Sequence, residues 1–163
     1  MEKKSTNLLT RLALLIALSV VASYIPIPSP TGTVALDSAP GYFAALTIGG
    51  FEGGIVLFFG HIFTSLKSGF PLGAIHLIIA FLMGGCGIFI SYFKRKFNLI
   101  IAAILTVVLN SFILPLLLIP VLGYGFFTAM LLPLFFASIV NIFISVILYK
   151  ILSSRVEGII SEK

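Results

Sequence analysis

The chain has 163 residues, 60% of them hydrophobic and only 9% charged, with a formal net charge of +5 and a mean hydropathy of +1.23. A water-soluble domain needs far more charged surface, so soluble folds are excluded and lipid is the solvent that fits. The basic balance does not point to nucleic acid, because the cations flank apolar segments, where they set orientation in a membrane. At about 20 apolar residues per crossing, the chain holds about six spans in one transmembrane domain, residues 1–163, with no soluble domain.

Leu8–Tyr24 is the first predicted span. Lys3, Lys4 and Arg11 accompany it, but Pro26, Pro28 and Pro30 follow where a leader's cleavage site needs small residues, so it reads as a span. A polar loop, Ile25–Pro40, carries Thr31, Thr33, Asp37 and Ser38. Tyr42–Leu66 is interrupted by Gly49-Gly-Phe-Glu-Gly-Gly54, which reads as a tight turn. Phe70–Phe93 is the next span and ends at Lys94, Arg95 and Lys96; Leu99–Ile119 follows, broken by Pro115 and Pro120; Phe126–Leu152 is the last.

Loop charge decides between one crossing and two in Tyr42–Leu66. With a break at Gly49–Gly54, nine of the ten Lys and Arg fall on one side: Lys3, Lys4, Arg11, Lys94, Arg95, Lys96, Lys150, Arg155 and Lys163. That side is the cytoplasm, with both termini. A single crossing would instead leave Glu52 near the bilayer centre, at about 2.5–3.5 kcal/mol. The second span is then short and must tilt or be shielded by its neighbours.

The expected fold is therefore an all-α integral membrane protein, a compact bundle of about six transmembrane helices. No internal repeat of the kind found in many secondary transporters is visible. Polar side chains collect near the predicted outer loops. His61, Thr64 and Ser65 lie in the outer half of the third span, Lys67 ends it, and His76 is about two turns into the fourth. Asn110 is in the outer half of the fifth, and the outer loops add Thr33, Asp37 and Tyr124. Such a cluster points to a cavity opening outward, because buried polar groups need partners. Asn141, deeper in the last span, reads as helix-packing glue.

No zinc-protease, nucleophile-elbow or phosphate-loop motif is present, and the membrane segments carry no paired carboxylates. The single cysteine, Cys86, makes no disulfide framework or Cys-rich metal site. Catalysis and proton coupling are disfavoured, with no cofactor or metal expected. A small pore or a membrane enzyme acting through His61 or His76 remains as an alternative class.

Ala13 and Ala17 place two small residues one turn apart on the first span, with Ser19 and Ala22 further along. That spacing lets another helix approach closely. With this motif, its length, its span number and its long first outer loop, the chain resembles the substrate-binding S components of energy-coupling-factor (ECF) vitamin transporters. The resemblance implies docking on a membrane T component through Ala13 and Ala17, and two ATP-binding subunits that supply the hydrolysis. It further implies a multi-pass protein of the prokaryotic plasma membrane that binds a vitamin or precursor near the outer surface. The run Pro28-Ser-Pro-Thr-Gly-Thr-Val-Ala-Leu-Asp-Ser-Ala-Pro40, with Gly69-Phe-Pro-Leu-Gly73 and His76, is similar to S components assigned to α-ribazole, a cobalamin precursor. Biotin S components also have a Pro-rich first loop, but the Thr-x-Gln they carry there is absent. Asp37, the only acid in the outer loops and braced by Pro26, Pro28, Pro30 and Pro40, and His76, a neutral donor and acceptor, are the first candidates for substrate contact, followed by His61, Lys67, Asn110, Thr33 and Tyr124.

Overall fold

The computed structural model describes residues 2–161, with side chains for residues 6–153. The side chains of Lys3, Lys4, Arg155 and Lys163, four of the cations behind the topology argument, lie outside the described residues. Six helices follow in order: α1 Glu2–Ala22, α2 Ala39–Thr47, α3 Gly50–Lys67, α4 Ile75–Lys96, α5 Leu99–Leu117 and α6 Ile119–Ser161. Among the described residues the only extended pairing is one bridge, Pro26 with Ala35. The all-α bundle expected from composition is the fold. By length and composition, α4, α5 and residues Ile119–Ser153 of α6 can each cross a membrane, and Thr6–Ala22 of α1 is a shorter apolar helix.

The glycine run at 49–54 behaves differently from the turn expected of it. The chain reverses at Ile48 and Gly49, and Gly50, Gly53 and Gly54 belong to α3. Their role is close packing. A Cβ on Gly53 would stand 2.4 Å from the Ala45 Cβ of α2, and one on Gly54 would stand 2.7 Å from the Gly84 carbonyl of α4. From the other side, a Cβ on Gly87 would meet the Gly54 nitrogen at 2.5 Å. Without a hydrophobic drive between helices in lipid, such backbone-to-backbone approach is what van der Waals packing requires.

The short α2 is held at its end by Lys94, whose Nζ donates to the Leu46 carbonyl at 2.8 Å and lies 3.9 Å from the Tyr149 ring centroid. A cation there satisfies an orphan carbonyl and complements the helix dipole. It also fixes the α2–α3 turn and the Lys94–Lys96 cluster at one end of the bundle, as the two-crossing reading of 42–66 requires. Asn98 caps α5, accepting from the Ile101 N–H at 2.9 Å.

Two proline and glycine positions shape the later helices. Residues Leu109–Ile113 of α5 form a π turn, in which Leu114 N–H donates to the Leu109 carbonyl. Pro115 follows, and its missing donor and bulky ring explain why the preceding turn widens. The start of α6 is broken at Gly123, with φ 81° and ψ 166°, a conformation that suits only glycine. Pro133 is accommodated inside α6 without a break.

Gly87→Val should lower stability by about 1–3 kcal/mol or more, because the clash is with backbone that cannot move aside. Gly85→Val, on an exposed site with nothing within 4 Å of its Cβ position, should be neutral. Thermal unfolding of the two variants in detergent checks the contrast.

Candidate functional site

The loop between α1 and α2 is exposed along its first arm and buried along its second. It folds into a hairpin, with Ile27 N–H donating to the Val34 carbonyl at 2.9 Å and Leu36 N–H to the Ile25 carbonyl at 3.2 Å. Its descending arm enters the bundle, so Thr33, Val34, Ala35, Asp37 and Ser38 are all buried. Side chains from the helices satisfy it there. Asn141 donates to the Ala35 carbonyl at 2.9 Å, Ser145 to the Ala39 carbonyl at 2.8 Å, and Ser68 to the Gly32 carbonyl at 3.0 Å.

Beneath this hairpin lies a cavity of about 80 Å³, counted as the space open to the centre of a water molecule. The hairpin contributes Thr31, Thr33, Val34, Ala35, Asp37 and Ser38; α3 contributes His61; α4 contributes Ile79, Leu82 and Met83. From α5 and α6 come Asn110, Leu114, Pro115, Phe126, Met130, Leu134, Ala137 and Asn141, with Leu72 and Leu118 from the connecting turns. An apolar wall with a few convergent polar groups is the usual make-up of a small-molecule site.

Each polar group is set by its element. Asp37 Oδ2 accepts from Thr64 at 2.7 Å and Oδ1 from Ser38 at 3.3 Å. Burial raises its carboxyl to about 6 from 3.8, against the opposing hydrogen bonds of Thr64 and Ser38 and the weaker pull of Lys67. His61 and His76 meet across α3 and α4, with Nε2 of the first 3.2 Å from Nδ1 of the second. His76 is fully buried, lies 3.0 Å from Ser65 Oγ and accepts from the Leu72 N–H at 3.3 Å. That last contact depends on the turn 68–74, where Gly69 and Gly73 take φ of +76° and +56°. His76 therefore stands behind His61 rather than in the cavity wall. Asn110 sits on the π turn of α5, a deformation common at functional positions.

Besides His76, two expected contacts lie outside the cavity wall. Lys67 is exposed; its Nζ donates to the Ser23 carbonyl and lies 4.9 Å from the Tyr24 ring centroid, outside the cavity lining. Tyr124 is 67% exposed, its ring 5.7 Å from that of Phe127, and it too is absent from the lining. The aromatic residue in the wall is Phe126, two positions on. Asn141, read from sequence as packing glue, does tie α6 to the hairpin, yet it also lines the cavity. Its neighbour across the bundle is a loop residue 106 positions away, which periodicity cannot reveal.

On α1, Leu12, Ser19 and Ser23 turn inward, whereas Ala13 and Ala17 are exposed. Ser19 packs against α3, since a Cβ on Gly60 would meet it at 3.1 Å, so it is not part of the small exposed face.

The family model described as the substrate-specific component of ECF transporters matches residues 7–153. The chain belongs to that family. As an S component it is a substrate-binding subunit of a transporter, not an enzyme, and works with a membrane T component and ATPase partners. The fold agrees: the solved S component of a bacterial ECF transporter superposes with a TM-score of 0.68 at 20% identity, over 96% of this chain and 98% of that one. No curated protein matches.

The buried Asp37 makes the ligand-free S component less stable as pH rises. Its raised carboxyl favours the folded state fully below about 3.8, and that advantage is lost as pH climbs through about 6. The difference is on the order of 3 kcal/mol. Thermal unfolding from pH 4 to pH 8 should show the decline in wild type, and Asp37→Asn should flatten it.

Proposed function

We propose that this S component binds α-ribazole, with its termini in the cytoplasm and its cavity opening to the outside. The observation that carries the reading is the cavity's mixed wall: Phe126 and aliphatic side chains for a heteroaromatic base, and Asp37, His61, Asn110 and Thr33 for the hydroxyls of an attached sugar. The similarity of the Pro28–Pro40 run to α-ribazole S components supports the same choice. Phe126 is the one phenyl ring in the lining, and aliphatic residues make up most of the rest of the apolar wall. The chain's Lys94–Lys96 cluster at the α2–α3 end supports the proposed orientation.

Docking on the T component is assigned to Ala13 and Ala17, whose exposure on α1 leaves a flat strip for another helix. The isolated chain binds ligand and does not accumulate it, since it carries no nucleotide motif.

Calorimetric titration of α-ribazole into the purified chain, with mass spectrometry of any compound it retains, tests the substrate. Asp37→Ala should weaken binding by about 0.5–1.5 kcal/mol through loss of a direct contact, and His76→Ala should weaken it by freeing the His61 ring that it positions. Unchanged affinity in both variants would place the site elsewhere. Replacing Ala13 or Ala17 by Leu should abolish uptake by the assembled transporter while leaving α-ribazole affinity intact. A parallel loss of binding and of folded protein would mean that the pair packs internally.

A further inference from the structure

Asn141 is 2% exposed and lines the cavity, and its amide is half used. Nδ2 donates to both the Ala35 and Ala137 carbonyls at 2.9 Å, which spends its two hydrogens and fixes which way the amide points. Oδ1 is buried and has no partner among the described residues. A buried carbonyl oxygen left unmatched is costly, and in a cavity wall the group that can match it is a ligand donor.

The remaining polar groups point the same way. Asp37 offers further acceptor oxygens. On the donor side, the Leu72 N–H held by His76 Nε2 puts that ring's proton on Nδ1. There it faces Ser65 Oγ, whose own hydrogen goes to the His61 carbonyl at 2.8 Å, and His61 Nε2. His61 Nε2 is thus an acceptor and its proton sits on Nδ1, so the donors in the lining, His61 with Asn110 and the Thr31 and Thr33 hydroxyls, are all neutral. The lining contains no Lys or Arg. Lys67 is turned to Ser23 and Tyr24. An anionic ligand would be desolvated with no cation to meet it.

We propose that Asn141 is a specificity-determining residue, its Oδ1 accepting from an N–H or O–H of the ligand. We further propose that the cavity admits uncharged or cationic molecules and rejects those bearing a carboxylate or phosphate. The proposal rests on the substrate-binding reading above but not on α-ribazole being the substrate.

The test is titration of the purified full chain at neutral pH with two probe sets: α-ribazole, pyridoxine and thiamine against biotin, pantothenate and pyridoxal phosphate. The tightest binder should come from the first set, by about a hundredfold over any acidic probe. Asn141→Ala should weaken that binder about tenfold. Ser145→Ala removes a neighbouring tie from α6 to the first residue of α2, keeps the Asn141 side chain and alters no lining side chain, and should leave affinity unchanged. An acidic probe as the tightest binder overturns the proposal. So does equal weakening by Asn141→Ala and Ser145→Ala, which would reduce Asn141 to a packing residue. Failure of the transporter reading is seen separately, as no uptake of any probe when the chain is assembled with a T component and ATPases.

Discussion

Within the hydrocarbon region a non-helical backbone has no water to bond, so it persists only where protein supplies every partner. The same demand holds wherever protein shuts water out, as it does around the descending arm of the 23–38 hairpin, where Thr33, Val34, Ala35, Asp37 and Ser38 are buried. The hairpin feeds a helix of nine residues, α2, too short to cross alone, and so descends into the bundle to meet it. Its carbonyls are met by Asn141, Ser145, Ser68 and Lys67, and its carboxyl by Thr64. The cavity exists because the same arm that is satisfied on one side presents Thr33, Asp37 and Ser38 on the other.

Side-chain size along α3 and α4 sets where space is left. Near the α2–α3 turn, Gly53, Gly54, Gly84 and Gly87 let three helices touch through their backbones. Further along, larger side chains, His61 and His76, meet between α3 and α4, and His61, Ile79, Leu82 and Met83 line the cavity on that side. The π turn in α5 adds a local widening that brings Asn110 and Ser111 inward. A closed end and an open end thus follow from one sequence gradient.

Much of this was readable from the chain alone. Apolar runs and prolines located all six helices, though α1 and α6 extend well beyond the predicted Leu8–Tyr24 and Phe126–Leu152, and loop charge separated 42–66 into two, because both signals are local. The role of Gly53 and Gly54 was misread, since a glycine cluster looks alike whether it turns a chain or packs a helix. At the site, Asp37, His61, Thr33 and Asn110 stood out as polar residues in apolar surroundings, and all four reached the cavity. Lys67 and Tyr124 shared the right depth but not the right face, which a loop-adjacent position does not encode. Asn141 was legible as polar and buried; its second role needed the hairpin's path, a contact across most of the chain.

The hairpin's fastenings also bear on time. Ser68 holds its tip at Gly32, Lys67 its root at Ser23, and Asn141 its descending arm at Ala35, on three different elements. On the proposed reading, with ligand in the cavity beneath the hairpin, release would require several of these bonds to part together. The dwell time would then depend on the opening rate of the cover as well as on the ligand's own contacts, as in sites where a closing segment limits release. Two compounds of different affinity can then share one escape rate.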